Sequence, residues 1–286
     1  MRNRLLILLG PTGVGKTDYS LELARRYGSP IISCDSRQIY REMDIGTAVP
    51  SAEQLAAVQH FFIQDHSIHS PYTAGKYEIE ALDLISRLFA EGHETLVMTG
   101  GSGFYIDAVC YGLDDFPEAD PDLRASLSER LRTEGVDNLR QELRRLDPES
   151  YAAIDIANGQ RVIRALEVCL MTGRKFSSFK NFRVKQRDFD IEKVGISRPR
   201  EVLYDRINRR VDAMMENGLL EEARRLLPYR DLPALRTVGY RELFDYFDGR
   251  ISLDEAVSLI RRNTRHYAKR QLTWWNRDSS IHWLDF

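Results

Sequence analysis

The stretch GPTGVGKT, residues 10–17, has the residue types and spacing of a phosphate-binding loop. Its glycines let backbone N–H groups turn towards anionic oxygens, and the helix that follows adds the positive end of its dipole. Lys16 adds a charge, and the Thr17 hydroxyl can ligate Mg²⁺. Such a loop recognises a diphosphate-like anion and not a base, so the motif by itself favours an NTPase or a small-molecule kinase.

An acidic side chain that could act with this loop is found at Asp35, directly after the apolar run PIISC. A motor ATPase would usually carry its acid after another strand, but here the run TLVM closes on Thr99, Gly100 and Gly101. A carboxylate at position 35 can bind a metal or accept a proton from an attacking nucleophile. The competing interpretation is structural, because Asp35 could instead cap a helix over SRQIYREM.

The elements around these residues predict a parallel sheet. LLILLG (5–10) is typical of a buried strand, TDYSLELARRYG (17–28) has helical spacing ending at Gly28, and ETLVMTGGSGFY (94–105) repeats the pattern of an apolar run before a glycine-rich loop. The carboxyl ends of parallel strands line one crevice. We therefore expect the loops at 10–17, 35–38 and 100–103 to converge.

The pattern changes to charged helical segments between 115 and 182. Strand character returns at KVGIS (193–197), and residues 200–227 form a long helical region interrupted at Gly218. The predicted fold is α/β: a P-loop NTPase-like parallel sheet flanked by helices, with a helical insertion domain. Its core comprises 1–114 and 183–286, including basic C-terminal helices, and the insertion comprises 115–182.

The overall composition indicates a chain with a sizeable core and one charged face. Hydrophobic residues make up 43% of the 286 residues, and the net charge of −2 combines an acid-rich part up to residue 160 with a base-rich part after it. A basic C-terminal portion favours a polyanionic partner. The apolar N-terminal run leads straight into the loop, which favours a core strand over a signal peptide, and three widely spaced cysteines fit a reducing cytoplasm.

Seven segments in the same order, spread over nearly the whole chain, resemble the bacterial tRNA dimethylallyltransferases, also called tRNA isopentenyltransferases. They are GPTGVGKT, DSRQIYREMDIGTA, GGSGFY, NGQRVIRALEV, LYDRINRRVDAMMENGLLEEARRL, LRTVGYREL and TRHYAKRQLTWW. The resemblance implies that the loop holds the diphosphate of dimethylallyl diphosphate. The five-carbon group would then move to N6 of the adenosine immediately 3′ of the anticodon, with diphosphate as the leaving group.

The resemblance also implies roles for individual residues. Asp35 would be the proton acceptor, and Ser102 stands where the family usually has Thr, so the hydroxyl is kept. The catalytic set is Lys16, Thr17, Asp35 and Ser102, with Thr17 also the Mg²⁺ ligand. The diphosphate site is Gly10, Pro11, Thr12, Gly13, Val14, Gly15, Lys16 and Thr17, with Arg206 and Arg210 from RINRR. The tRNA site is Asp35, Ser36, Arg37, Gln38, Ser102, Arg124, Gln160, Arg161, Val162, Ile163, Arg164, Arg236, Thr237, Val238, Gly239, Tyr240 and Arg241.

The expected partners are dimethylallyl diphosphate and the anticodon stem-loop of tRNA, with Mg²⁺ as the cofactor, no membrane, and a cytoplasmic monomer. Three alternatives stay open: an adenylate isopentenyltransferase that uses a free nucleotide, a small-molecule kinase, and a non-catalytic RNA-binding protein. The extended basic face weighs against the first, since a free nucleotide needs no such surface. His60, His66 and His69 depart from the family pattern, but their surroundings lack the partners of a metal site.

Overall fold

The computed structural model describes residues 2–70, 72–181 and 184–286. The chain divides into two compact units, one made of Met1–Cys110 with Gln186–Phe286 and the other of Tyr111–Lys185. The boundary expected between residues 182 and 183 falls outside the described residues. None of the helices within the described ranges is both long and apolar enough to cross a membrane.

The first unit is built on a parallel six-stranded sheet with the strand order β3-β2-β4-β1-β5-β6. The strands are β1 (Arg4–Leu9), β2 (Ile31–Ser33), β3 (His60–Phe61), β4 (Thr95–Thr99), β5 (Asp190–Ser197) and β6 (His282–Asp285). The helices of this unit are α1 (Lys16–Tyr27), α2 (Ala52–Ala57), α3 (Ala74–Ala90), α4 (Gly103–Tyr111, whose last residue lies across the boundary), α9 (Arg200–Glu216), α10 (Leu219–Leu226), α11 (Tyr240–Phe247) and α12 (Leu253–Trp275). The predicted fold class is confirmed.

Alternate residues of β1 enter two different cores, which shows that helices cover both faces of the sheet. Leu5, Ile7 and Leu9 join a large cluster that contains side chains of α3, α4 and α11. Leu6 and Leu8 join a second cluster with side chains of α1 and α9. A strand that is buried on both faces reads as a continuous apolar run, as LLILL does.

Two helix boundaries follow from glycines with positive φ. Gly28 ends α1 in the left-handed region, with φ 58°, and donates its N–H to the last turn. Gly218 has φ 99° and separates α9 from α10, as its position in the sequence predicts. The predicted strands near residues 5, 30, 95 and 193 are all present, whereas β3 and β6 were not predicted.

The second unit is helical in its described residues. It contains α5 (Pro121–Glu134), α6 (Val136–Leu146), α7 (Pro148–Ala153) and α8 (Gly159–Thr172). Its separate core includes Leu127, Leu139, Leu143 and Leu166. Asp120 and Asn158 cap α5 and α8 with side-chain oxygens that accept backbone N–H bonds.

Candidate active site

The phosphate loop joins β1 to α1 in a conformation that its glycines make possible. Gly13 has φ 82°, and an added Cβ there would lie 2.9 Å from Ile207 Cγ1 on α9. Gly15 has φ 115° and stands at the N-terminus of α1. The first N–H groups of a helix have no partner within it, so those of the first turn can receive an anion.

Lys16 folds back across its own loop. Its Nζ donates to Gly10 O at 2.7 Å and to Pro11 O at 3.0 Å. Burial and the nearby Arg210 guanidinium lower the pKa of Lys16 to about 8, against the opposing effect of Asp35. The positive charge of Lys16 is therefore only partly balanced by its surroundings. A diphosphate would be a stronger hydrogen-bond partner for this ammonium than the two carbonyls are.

Arg206, Arg210 and Arg198 contact the phosphate loop. Arg206 Nε donates to Gly13 O at 2.8 Å, and Arg210 Nη1 lies 3.5 Å from Thr12 Oγ1. The exposed Arg209 instead pairs with Asp205 at 2.5 Å. Arg198 Nε donates to Val14 O at 2.8 Å, and sequence reasoning missed it. Its position directly after β5, at the carboxyl edge of the sheet, is the signal that could have found it.

Asp35 caps a turn and not a helix. Its Oδ1 accepts the backbone N–H groups of Arg37 at 2.8 Å and Gln38 at 3.3 Å, and residues 36–39 form turns. The helix considered over SRQIYREM is therefore absent, because the side chain closes a local turn instead. Within the described chain no hydrogen bond reaches Oδ2, so this oxygen can accept a proton.

Ser102 fixes the turn that carries Asp35. Its hydroxyl accepts the Ser36 N–H at 2.9 Å and donates to Ser36 Oγ at 3.0 Å. The Ser102 N–H donates to Cys34 O at 3.2 Å. These bonds tie the loop after β4 to the loop after β2, so Ser102 supports the Asp35 turn through Ser36.

The three loops that we expected to converge line one cavity of about 740 Å³. Its walls contain the anion-binding and the proton-accepting groups together. They include Thr12, Gly13, Gly15, Lys16, Thr17, Asp35, Ser36, Arg37, Gln38, Gly101, Arg206 and Arg210, with Arg236, Thr237, Val238, Gly239 and Arg241 on a further wall. The cavity can therefore hold a diphosphate and place a carboxylate beside it.

A buried carboxylate, which sequence reasoning missed, organises that further wall. Glu222 is 1% exposed and accepts the N–H groups of Ile45 at 2.8 Å and Gly46 at 2.9 Å, and the Tyr240 hydroxyl at 2.7 Å. Tyr240 is fully buried, so its side chain supports the wall from behind and does not face the cavity. Gln38 Nε2 donates to Ala48 O at 2.8 Å, and this bond joins the loop of residues 45–48 to the Asp35 turn.

In the helical unit, two of the residues expected to bind tRNA have an internal partner. Arg124 and Arg164 both contact Glu167 Oε2, at 2.5 Å and 2.6 Å, and Glu167 is fully buried. The side chains of Val162 and Ile163 lie in the core of this unit, because α8 turns its apolar face inwards. Gln160 and Arg161 are exposed and available to a polyanion.

The described residues contain few candidates for a metal ligand set. Among residues 2–70, 72–181 and 184–286, no group of three or more His, Cys, Asp or Glu side chains could hold a metal ion. His60 Nδ1 is 2.7 Å from Val58 O, and His66 Nδ1 is 2.6 Å from Asp65 Oδ1. The Thr17 hydroxyl remains the candidate for Mg²⁺, which usually takes few protein ligands and completes its shell with phosphate and water.

Known proteins match this chain over its full length. The model of the family described as IPP transferase matches residues 38–278. The "tRNA dimethylallyltransferase 2" of Porphyromonas gingivalis is 54% identical over 280 residues, 98% of this chain and 93% of the relative. The tRNA dimethylallyltransferase of Christiangramia forsetii is 50% identical over 286 residues, 100% of this chain and 94% of the relative.

Solved structures similar to this chain also include transferases of this kind. The tRNA isopentenylpyrophosphate transferase of Bacillus halodurans is 38% identical with a TM-score of 0.70, over 100% of this chain and 90% of that one. A eukaryotic dimethylallyltransferase described as acting on tRNA has a TM-score of 0.81 at 24% identity, over 99% of this chain and 74% of that one, and so supports the fold. The chain therefore belongs to the IPP transferase family.

Proposed function

We propose that this protein transfers the dimethylallyl group of dimethylallyl diphosphate to N6 of the adenosine immediately 3′ of the anticodon in tRNA, and releases diphosphate. The observation that carries the proposal is that the phosphate loop and the Asp35 carboxylate line one cavity. A motor ATPase would usually place its acid at the end of β4, where this chain has Thr99 followed by two glycines. Family membership supports the same activity.

The loop and its arginines stabilise the leaving group. As the bond between the allylic carbon and oxygen breaks, negative charge collects on the diphosphate. The loop N–H groups, Lys16, Arg206 and Arg210 line this part of the cavity and can donate to the developing charge. Donors that need no reorganisation are worth the most in the transition state. Arg206 and Arg210 each direct one N–H group towards the loop, and a guanidinium has five, so the others can donate to the diphosphate.

Asp35 removes the proton that the nucleophile must lose. The exocyclic N6 of adenine is a weak nucleophile because its lone pair is delocalised into the ring. As the N6–carbon bond forms, one N6 proton passes to Asp35 Oδ2, while Oδ1 keeps its bonds to the turn. Ser102 maintains this geometry through Ser36. The target base leaves its stack to reach the cavity, which is easiest in a single-stranded loop.

We assign Mg²⁺ to the Thr17 hydroxyl. Thr17 lines the cavity in the first turn of α1, and an oxygen donor beside a diphosphate site suits this hard cation. When bound, Mg²⁺ supplies positive charge to the departing diphosphate. The protein would act in the cytoplasm as a monomer. Arg161 in the helical unit and Arg236 and Arg241 in the sheet unit are exposed, and each can contact tRNA phosphates.

One assay separates the candidate activities. The protein is incubated with dimethylallyl diphosphate labelled in the five-carbon group and, in parallel, with tRNA, AMP or ATP as acceptor. We expect label in tRNA alone, located on the adenosine 3′ of the anticodon. Label in AMP would identify an adenylate isopentenyltransferase. A parallel incubation of the same acceptors with γ-phosphate-labelled ATP tests for a kinase, and phosphate transfer without prenyl transfer would overturn the proposal.

A further inference from the structure

Gln271 on α12 is a buried glutamine whose amide joins the phosphate loop to the glycine loop after β4. It is 5% exposed. Its Oε1 accepts the Thr12 N–H at 2.9 Å, and its Nε2 donates to Gly101 O at 2.8 Å. The partners fix the orientation of the amide, because a backbone N–H must face the oxygen and a carbonyl must face the NH₂ group.

The approach of this amide depends on a glycine. A Cβ added at Gly101 would lie 2.6 Å from Gln271 Nε2, so any larger residue would push the amide away. Tyr267 stands one turn earlier on α12, and its hydroxyl lies 3.4 Å from the same Gly101 O. Residues four apart share one face of a helix. One face of α12 therefore presents two donors to a single carbonyl.

The two loops lead to the two halves of the proposed reaction. Thr12 belongs to the phosphate loop, which would hold the leaving group, and its hydroxyl lies 3.5 Å from Arg210. Gly101 precedes Ser102, whose hydroxyl holds Ser36 beside Asp35. The Gln271 amide is thus a direct hydrogen-bonded link between the diphosphate site and the segment that supports the proton acceptor.

We propose that Gln271 is a positioning residue that fixes the distance between the phosphate loop and the Asp35 turn. The inference rests on the proposed function. It requires one acceptor and one donor on the same side chain, and the Gln271 amide supplies both. Ionised glutamate keeps the size and the bond to Thr12, but it turns a carboxylate oxygen towards Gly101 O. Methionine has similar size and breaks both bonds without adding charge.

The test is a double-mutant cycle between Gln271→Glu and Asp35→Asn, read by single-turnover transfer to tRNA at saturating donor. A displacement of about 1 Å at a reacting group can slow a reaction by roughly 10²-fold. We expect Gln271→Glu to slow transfer by about tenfold or more in the wild-type background and by less than about threefold in the Asp35→Asn background. Groups that act as a unit are non-additive in this way.

Further readouts distinguish positioning from general destabilisation. Gln271→Met should reproduce the slow transfer, while both variants bind inorganic diphosphate and tRNA within about threefold of the wild type. Gln141→Glu makes the same chemical change at an exposed site on α6 and should leave the rate unchanged. Equal slowing in both Asp35 backgrounds, or loss of substrate binding in parallel with rate, would overturn the inference. If the wild type itself fails to modify tRNA, the proposed function fails instead.

Discussion

Replacing Asp35 by Asn separates a proton acceptor from a turn cap, because the asparagine keeps one oxygen and loses the other. Oδ1 carries both backbone bonds of the turn, at 2.8 Å and 3.3 Å, and an amide oxygen can accept both. A purely structural role therefore predicts a stability change of at most about 1 kcal/mol and nearly normal transfer. The remaining position becomes an NH₂ group, which cannot take the N6 proton.

The magnitude follows from what a general base contributes. Such a group accelerates proton transfer by about 10²- to 10⁴-fold, or roughly 2.7–5.4 kcal/mol of barrier. We expect single-turnover transfer by Asp35→Asn to fall by about 10²-fold or more, with the melting temperature and tRNA affinity nearly unchanged. The donor must be saturating, because removing the Asp35 charge also removes a contribution that raises the pKa of Lys16.

The control is Asp83→Asn, which neutralises an exposed carboxylate on α3 that does not line the cavity. It should transfer the prenyl group at the wild-type rate. Near-normal turnover by Asp35→Asn would refute the assignment of the base. A parallel fall in melting temperature and rate would show that the substitution disturbs the fold, and the slow transfer would then give no support to Asp35 as the base.

Four further outcomes are expected. Lys16→Ala should reduce transfer severely while tRNA affinity changes by less than about twofold, and equal loss of both would contradict its place in the leaving-group site. Since the pKa of Lys16 is lowered to about 8, the wild type should lose affinity for inorganic diphosphate as the pH rises through about 8 and the ammonium deprotonates; an identical decline in Lys16→Ala would assign it to another group. Arg236→Ala should lower the slope of log K for tRNA against log salt by about one, whereas Arg250→Ala, at another exposed position, should not. Equal slopes in the two variants would show that Arg236 makes no phosphate contact. Glu222→Gln should cost roughly 1–3 kcal/mol of unfolding free energy and weaken tRNA binding more than diphosphate binding. The reverse order would show that the loop at Ile45 and Gly46, which Glu222 holds, does not support tRNA binding.

The structure also changes how arginines of the helical unit can be tested. Arg164 belongs to the predicted tRNA site, where an Arg164→Ala substitution would weaken tRNA binding through a lost phosphate contact. Arg164 and Arg124 share the buried Glu167, so removing either guanidinium leaves that carboxylate with a single cation. Loss of such a partner destabilises the unit as well. Arg161, which is exposed on the same helix, is the cleaner position for this measurement.

The sequence determined the parts of this protein that depend on neighbours along the chain. The spacing of residues 10–17 predicts the phosphate loop, the continuous apolar run before it predicts a buried strand, and Gly28 and Gly218 predict helix ends. Each depends on backbone geometry within a few residues. Because the loops of a parallel sheet meet at the carboxyl ends of its strands, these local patterns together also predict that the three loops line one cavity.

Tertiary structure alone decided which side chains take part and what they contact. β3 has two residues and forms only because Ile31 and Ile32 provide a partner strand. Gln271 reaches Thr12 across 259 positions, and no periodicity reports such a pair. The pattern QRVIR in α8 does not predict that Arg164 pairs with Glu167 while Arg161 is exposed, because the partners of a buried carboxylate depend on the three-dimensional packing around it.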